Sequence, residues 1–251
     1  MFSFQILFIS LITLFFSTQP LFASPEDQQQ LTVKQQEAVK KIVHDYIMNN
    51  PSIITGAIEA LRQKEKLAVE IRASKALFER KSEIFDDPKS PVLGNTNGDL
   101  TIVEFFDYRC SYCKDMLDVI MNTVKTDGKI RLVMKELPIL GPNSIMISRA
   151  ALAAHNQNKY EEFHITFMRL KGSITDKTML RIANSIGIND KKLKKDMNND
   201  RIDTLLKNNL QLANALNIDG TPIFIIGNKI IPGTISLQAL KQIIDQARKS
   251  K

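Results

Sequence analysis

The chain contains two cysteines, Cys110 and Cys113, separated by Ser111 and Tyr112. Thiols at this spacing can form a disulfide with each other, and the thiolate of one can attack the disulfide of another molecule. The spacing suits a structural disulfide poorly, because closing a four-residue loop stabilises a chain by only about 2 kcal/mol, against roughly 4.7 kcal/mol for a 100-residue loop. A chain of 251 residues does not depend on so weak a constraint. The pair therefore predicts redox chemistry.

The neighbouring sequence predicts elements that place these thiols at the start of a helix. Residues 101–106 have apolar side chains on both faces, as in a central β-strand that helices cover on each side. An apolar stripe at helical spacing then runs from Ser111 to Val124. Cys110 falls at the helix N-terminus, where free N–H groups stabilise a thiolate. Cys113, one turn further on, is sheltered and positioned to attack a mixed disulfide formed at Cys110.

Glu104 is the polar exception within the predicted strand. An unpaired carboxylate in a protein core is costly, and burial raises the pKa of such a group. One interpretation makes Glu104 the proton acceptor for Cys113 when that thiol attacks. The other interpretation makes it a partly exposed acid at the strand end that pairs with a lysine.

The tripeptide Gly220-Thr221-Pro222 precedes an apolar strand pattern, where proline is unusual. A cis peptide bond before Pro222 is one way to accommodate it, and an ordinary trans turn is the other. If this loop faces Cys110, the backbone of Thr221 can pair with an extended substrate peptide, as in the addition of a β-strand.

The N-terminus predicts export. Residues 6–16 form an almost unbroken apolar run, shorter than a membrane span. Ala23 is the small residue that a signal peptidase needs before the cleaved bond. No Lys or Arg precedes the run and Leu21 is bulky for its position, so an uncleaved N-terminal anchor is the alternative. We expect cleavage near Ala23 and a soluble remainder, because no later apolar stretch reaches membrane length.

Composition and charge indicate a globular exported protein. Glycine and proline are few, with 10 and 9 residues, and 43% of the chain is hydrophobic. The formal net charge is +7. The densest cluster of cationic residues, at 191–195, is typical of a solvated helix face. For an exported chain we expect no nucleic-acid partner.

Residues 31–85 are predicted to be helical and separate from the rest of the chain. Thr32 and Gln35 form a capping box, and Asn50 is expected to cap a second helix that begins at Pro51. Apolar residues recur at helical spacing at Val39, Ile42, Val43, Tyr46, Ile47, Ile54, Ile58, Leu61, Ala68 and Ile71. Thirty residues of helix reach about 45 Å and cannot bury such a stripe alone. The segment either packs on the remaining domain or pairs with copies of itself, and we favour self-association.

The pattern after this arm predicts an α/β domain. A polar linker at 86–91 is followed by the strand and helix of the cysteine motif and by an alternating strand at 129–137. Residues 142–216 are helical throughout. A β-hairpin at 223–231 and a closing helix from Ser236 complete the order. The predicted segments are a signal peptide at 1–23, a helical arm at 24–87, and a thioredoxin-like domain at 88–251 with an all-helical insertion at about 142–216.

Three motifs in this order resemble those of the DsbA family of bacterial periplasmic oxidoreductases: Glu104–Lys114 (EFFDYRCSYCK), Glu136–Ser144 (ELPILGPNS) and Gly220–Phe224 (GTPIF). The resemblance covers roughly residues 90–249. It implies a thioredoxin fold with a helical insertion, Cys110 as nucleophile and Cys113 as resolving cysteine. It also implies a cis Pro222 beside the disulfide and Glu104 as the buried acid. The N-terminal helices resemble the oligomerisation arms of the longer ScsC-like and Com1-like relatives.

Departures from the family pattern leave the direction of catalysis open. The oxidases of the family carry Pro-His between their cysteines and Val before the cis-proline, whereas this chain has Ser111-Tyr112 and Thr221. Loss of the histidine removes a positive group near Cys110, and a less stabilised thiolate makes a weaker oxidant. From the resemblance we predict a periplasmic oxidase of exported proteins, and these departures keep an oligomeric isomerase or reductase as the alternative. Association with the outer membrane is left open.

This interpretation also sets the expected partners and cofactors. We expect exported proteins with cysteines as substrates, a membrane redox partner of unknown identity, a homo-oligomer formed through the arm, and no cofactor or metal. A different class of function is a holdase or a metal-binding protein that uses both thiols, which suit Cu(I). A closed zinc site needs four ligands, and the chain has two cysteines and three histidines without such spacing. A third alternative is a fold that has lost its chemistry.

Overall fold

The computed structural model describes residues 31–172 and 174–250. The predicted signal peptide at 1–23 lies outside them. Within them, no helix is long and apolar enough to cross a membrane. The elements are α1 (Val33–Asn49), α2 (Ser52–Glu79), α3 (Lys81–Phe85), β1 (Val92–Gly94), β2 (Leu100–Phe106), α4 (Ser111–Asp127), β3 (Ile130–Glu136), α5 (Pro142–His155), α6 (Tyr160–Arg169), α7 (Asp176–Ser185), α8 (Asp190–Met197), α9 (Asp200–Ala215), β4 (Ile223–Ile226), β5 (Lys229–Pro232) and α10 (Leu237–Lys249).

The chain divides into two compact units, the first ending at Ala60 and the second beginning at Leu61. In the first unit, the predicted capping box of α1 is present: the Thr32 side chain accepts from the Gln35 N–H, and the Gln35 side chain accepts from the Thr32 N–H. Asn50 ends α1, and its side-chain amide donates to the Tyr46 carbonyl at 2.9 Å. Helix α2 begins at Ser52, one residue later than predicted, and the Asn50 carbonyl accepts from the Ile53 N–H at 3.1 Å.

Helix α1 buries none of its residues. Its predicted apolar stripe is instead exposed to solvent, with 67% exposure for Ile42 and 60% for Tyr46. Val39, Val43, Ile54 and Ile58 of the first unit are exposed as well. Isolated apolar side chains on a surface are ordinary, but a row of them on one helix marks a surface that another molecule can cover.

The second unit is built on a mixed sheet that, among the described residues, has five strands in the order β1-β3-β2-β4-β5. Strand β2 is central: it pairs in parallel with β3 and antiparallel with β4. Both faces of β2 are covered, since Ile102 and Phe106 pack into one hydrophobic cluster and Val103 and Phe105 into the other. This confirms the prediction of a central strand.

Helices occupy most of the stretch between β3 and β4, as the sequence predicts. Side-chain caps begin three of them, with Thr175, Asn189 and Asn199 accepting from backbone N–H groups of α7, α8 and α9. Helices α5 and α6 bury residues against the same cluster that contains the cysteines. The helices between β3 and β4 therefore form one side of the core beneath the cysteine motif.

Lys135 is a buried cation on β3 with 1% exposure, where the alternating pattern did not predict burial. Its ammonium donates to Glu83 O at 2.7 Å, to Ser90 Oγ at 2.9 Å and to Asp87 Oδ2 at 3.1 Å. Burial lowers the pKa of Lys135, and the Asp87 carboxylate opposes that change. The lysine thus fastens the segment between α3 and β1 to the sheet.

Replacing Lys135 by Met is expected to lower the free energy of unfolding by about 2–4 kcal/mol, because it removes three hydrogen bonds and leaves the partly buried Asp87 without its cation. Urea denaturation followed by circular dichroism measures the loss. Lys129→Met, at an exposed position preceding the same strand, is the matched control and should change stability by less than about 0.5 kcal/mol. Equal stabilities of the two variants would contradict the anchoring role.

Candidate active site

Cys110 lies between β2 and α4 and is the N-cap residue of α4, as the sequence predicts. Its Sγ accepts a hydrogen bond from the Cys113 N–H at 3.4 Å. A sulfur at this position faces the free N–H groups and the positive end of the helix dipole. Both cysteines are free thiols, and Cys110 retains 6% exposure. The site can therefore present one sulfur to an external reactant.

Cys113 lies one turn into α4 and is fully buried. Burial raises the pKa of the Cys113 thiol, since a thiolate there would lose its hydration, while hydrogen bonds from its surroundings oppose the change. The two sulfurs thus occupy different environments, one at the helix end and one in the core. Cys110 and Cys113 therefore differ in exposure and in position on α4.

The loop before β4 faces Cys110. The Cys110 thiol donates to the Thr221 carbonyl oxygen at 3.1 Å. The peptide bond between Thr221 and Pro222 is cis, which was one of the two predicted alternatives. The Pro222 carbonyl accepts from the Gly233 N–H at 2.9 Å, which ties this loop to the end of β5. The structure thereby brings the tripeptide and the cysteine motif together.

Glu104 lies on β2 opposite Met134 of β3 and Phe224 of β4, with 2% exposure. Burial raises its pKa to about 8. No hydrogen-bond donor in the described part of the chain reaches its Oε2. The alternative of an exposed acid paired with a lysine is therefore wrong: Glu104 is a buried carboxyl without a lysine partner among the described residues.

Asp107 organises the loop around the cysteines, and it was not among the residues predicted from the sequence. Its fully buried carboxylate accepts from the Arg109 N–H at 2.7 Å, from the Leu140 N–H at 3.0 Å and from the Ser144 hydroxyl at 2.7 Å. It thus joins the cysteine motif to the segment that leads into α5. An aspartate directly after a buried strand is the sequence signal from which a structural role of Asp107 could have been predicted.

A second buried polar cluster, centred on Glu136, lies beneath the motif. Ser148 and Tyr160 donate to the Glu136 carboxyl at 2.7 and 2.8 Å, and Tyr108 donates at 3.3 Å. Burial raises the pKa of Glu136 to about 8. Burial also lowers the pKa of His164 to about 3, so this imidazole, 3.3 Å from the Tyr108 hydroxyl, is neutral. The cluster connects β3, α5 and α6 to the residue two positions before Cys110.

Metal ligands do not converge in the described part of the chain. No group of three or more His, Cys, Asp and Glu side chains there could hold a metal ion. Two of the histidines, His155 and His164, lie in α5 and α6. His155 contacts the Tyr160 ring and His164 the Phe106 ring.

Three features of this structure define the thiol–disulfide oxidoreductases of thioredoxin-like fold. They are a central parallel pair of strands, a C-x-x-C pair at the N-terminus of the following helix, and a cis-proline loop against the first sulfur of that pair. A family model described as thioredoxin matches residues 86–246, and one described as the N-terminal domain of copper resistance protein ScsC matches residues 35–68. The chain belongs to the thioredoxin family, as an ScsC-like member of its DsbA-type oxidoreductases.

Similar proteins agree with this placement. A thioredoxin-like oxidoreductase from Silicibacter pomeroyi is 39% identical, with 68% of this chain and 99% of that chain aligned and a TM-score of 0.66. ScsC from Proteus mirabilis in a transitional conformation is 28% identical over 88% of this chain and 100% of that chain, with a TM-score of 0.66. The thiol:disulfide interchange protein DsbA from Bordetella pertussis is 26% identical over 63% of this chain and 82% of its own length.

Two other curated relatives are much longer than the region they share with this chain. They are Na(+)/H(+) antiporters named NhaA from Salinispora arenicola and Salinispora tropica, 22% and 23% identical. The match covers 64% of this chain and only 25% of each antiporter. The chain thus spans a quarter of the length of these relatives.

Proposed function

We propose that the protein forms disulfides in exported, cysteine-containing proteins of the periplasm, with Cys110 and Cys113 as its redox pair. The observation that carries the proposal is the position of the Cys110 thiol, at the N-terminus of α4 and 3.1 Å from the backbone carbonyl of Thr221. A client cysteine that reaches Cys110 is then also next to a backbone that can bind its peptide.

The exchange has two steps. In the first, a client thiolate attacks Cys110 of the oxidised pair, the bond between Cys110 and Cys113 breaks, and Cys113 leaves with the electron pair. In the second, another client thiolate attacks the client sulfur of the mixed disulfide, and Cys110 leaves as a thiolate. The client loses two electrons and gains a disulfide, and the protein ends as a dithiol. A membrane redox partner removes the two electrons.

Glu104 is proposed to carry the proton of Cys113. Burial raises the pKa of both groups, so neither holds its charge readily in the core. A protonated Glu104 gives its proton when Cys113 leaves as a thiolate, and the carboxylate accepts a proton when Cys113 attacks. Its Oε2 has no hydrogen-bond partner among the described residues, which leaves it available for this transfer.

Thr221 and Pro222 are proposed to bind the client backbone. An extended peptide beside Thr221 adds a short β-pairing in which main-chain hydrogen bonds provide affinity for many sequences. Such backbone recognition suits a protein that acts on varied clients. Thr221 is half-buried, so part of this residue remains in contact with solvent.

Homo-oligomerisation through the helical arm is the second part of the proposal. The exposed apolar row of α1 and the match of residues 35–68 to the ScsC N-terminal domain support it. An assembly of several subunits would favour an isomerase, because it keeps partner oxidases away from the cysteines. Ser111, Tyr112 and Thr221, where the oxidases of the family differ, also favour that alternative.

One experiment separates the two directions of catalysis. The purified protein is incubated in glutathione buffer with a test enzyme that is either reduced or scrambled in its disulfides, and Cys110→Ser is the control. We expect rapid oxidation of the reduced enzyme and little reactivation of the scrambled one. Reactivation that depends on Cys110 would instead assign the isomerase role, and sedimentation of the same preparation would give the number of subunits.

A further inference from the structure

A cavity of about 360 Å³ lies next to the cysteine motif, and it has a cationic wall. Its lining residues are Tyr108, Arg109, Lys114, Asn143, Gly172 and Ile174. Arg109 directly precedes Cys110, and the Lys114 N–H donates to the Cys110 carbonyl at 3.2 Å. Both cationic residues therefore lie within one helical turn of Cys110. We call this space the Arg109–Lys114 cavity.

No carboxylate of the described residues neutralises either cation of this cavity. Arg109 Nη1 donates to the Leu140 carbonyl, and Lys114 Nζ donates to the Leu170 carbonyl at 2.7 Å. These contacts orient the two side chains but supply only dipoles. Across residues 31–172 and 174–250, neither Arg109 nor Lys114 forms an ion pair.

The acidic groups nearest in sequence are already engaged or face elsewhere. The Asp107 carboxylate is buried and accepts from three donors, of which the Arg109 contribution is the backbone N–H and not the guanidinium. Asp118, one turn after Lys114, pairs with Arg169 at 2.7 Å. Asp115 adjoins Lys114 in sequence, and neighbouring residues of a helix point in different directions. The cavity thus retains net positive charge.

Burial destabilises the charged form of Lys114. The Lys114 ammonium is partly withdrawn from water, and this burial lowers its pKa. An anion that enters the cavity would restore favourable interactions to both cations at once. The formal charge of the whole chain, +7, adds a long-range attraction for acidic molecules.

We propose that the Arg109–Lys114 cavity receives an acidic side chain of the client next to its reacting cysteine, so that the protein prefers clients whose cysteines are flanked by Asp or Glu. The acidic residue lies close to the client cysteine, because consecutive Cα atoms of a peptide are about 3.8 Å apart. A client cysteine bonded to Cys110 brings its neighbouring residue close to Arg109. The inference rests on the proposed function and adds a substrate class to it.

The test uses dithiol peptides that differ only in the residue beside the first cysteine, which is Glu or Gln, on its N-terminal or its C-terminal side. Protein carrying the disulfide between Cys110 and Cys113 oxidises each peptide, and quenched samples give the second-order rate constants. We expect the Glu peptide to react about 3- to 10-fold faster than its Gln partner on at least one side at low salt. The ratio should fall toward 1 in about 1 M salt, where the Debye length is roughly 3 Å.

Variants assign the preference to the cavity. Lys114→Gln removes one of the two cations and should lower the ratio of the two rate constants, whereas Lys125→Gln makes the same charge change at the exposed far end of the same helix and should preserve the ratio. Because Lys114 also holds the Leu170 carbonyl, Lys114→Glu is added: both variants remove the ammonium that makes this bond, so a disturbed loop would affect them alike, whereas the reversed charge should lower the ratio further than Lys114→Gln does.

The outcomes separate this inference from the proposed function. Equal rate constants for Glu and Gln peptides on both sides, with oxidation still dependent on Cys110, would overturn the acidic subsite and leave the proposed function intact. A preference that persists unchanged in Lys114→Gln would also overturn it. Absence of any oxidation that depends on Cys110 would remove both the proposed function and the preference that rests on it.

Discussion

Replacing Cys110 by serine is expected to slow the oxidation of a reduced client by at least about a thousandfold. A hydroxyl cannot form the disulfide with Cys113 or the mixed disulfide with the client, so neither step of the exchange can proceed at position 110. The position of Cys110 explains why Cys113 cannot take over: Cys113 is fully buried, and burial raises the pKa of its thiol. Oxidation of a fluorescent dithiol peptide measures the loss.

Cys113→Ser is the matched variant, and it is expected to fail differently. It keeps the Cys110 thiol at the helix N-terminus but has no internal thiol to release a bound client. When Cys110 attacks a client disulfide, the mixed disulfide should therefore accumulate and be visible as a heavier band on a nonreducing gel. Comparable turnover by Cys110→Ser and the unmodified protein would exclude Cys110 as the nucleophile.

The elements around the cysteines could be predicted because local patterns determine them. The apolar residues of β2 occupy both faces of the strand, and the stripe of α4 begins directly after Cys110. The burial of Glu104 is also a consequence of its place in a strand covered on both sides. The cis bond at Pro222 could be narrowed only to two alternatives, since the choice between them depends on the surroundings of the loop.

Contacts between distant segments could not be predicted in the same way. Asp107 binds Leu140 and Ser144, and no local pattern states which loop will approach a strand end. Lys135 matches the alternation of an exposed strand position, yet the segment at 83–90 folds over it and supplies acceptors. Asn50 shows the opposite case: its side-chain bond to the Tyr46 carbonyl is local, within about one helical turn, yet it was not predicted.

Glu104→Gln is expected to change how stability depends on pH. Burial raises the pKa of Glu104 from its ordinary value of 4.5 to about 8. Between these values Glu104 holds a proton in the folded protein that it releases in the unfolded chain, so its contribution to stability is greatest below pH 4.5 and is lost as the pH rises toward 8. A single carboxyl of this kind lowers the free energy of unfolding by about 1.4 kcal/mol per pH unit in that window. Glutamine cannot ionise, so the variant should lack this contribution.

The difference between the two proteins isolates Glu104, because Glu136 and His164 titrate in both. Urea denaturation of the reduced proteins at several pH values from about 5.5 to 7.5 should show the difference in unfolding free energy changing by about 3 kcal/mol. Glu161→Gln removes an exposed carboxyl of α6 and should leave the slope as it is. If the curves of Glu104→Gln and the unmodified protein run parallel, Glu104 is ionised in the folded state at neutral pH and has no proton to give when Cys113 leaves.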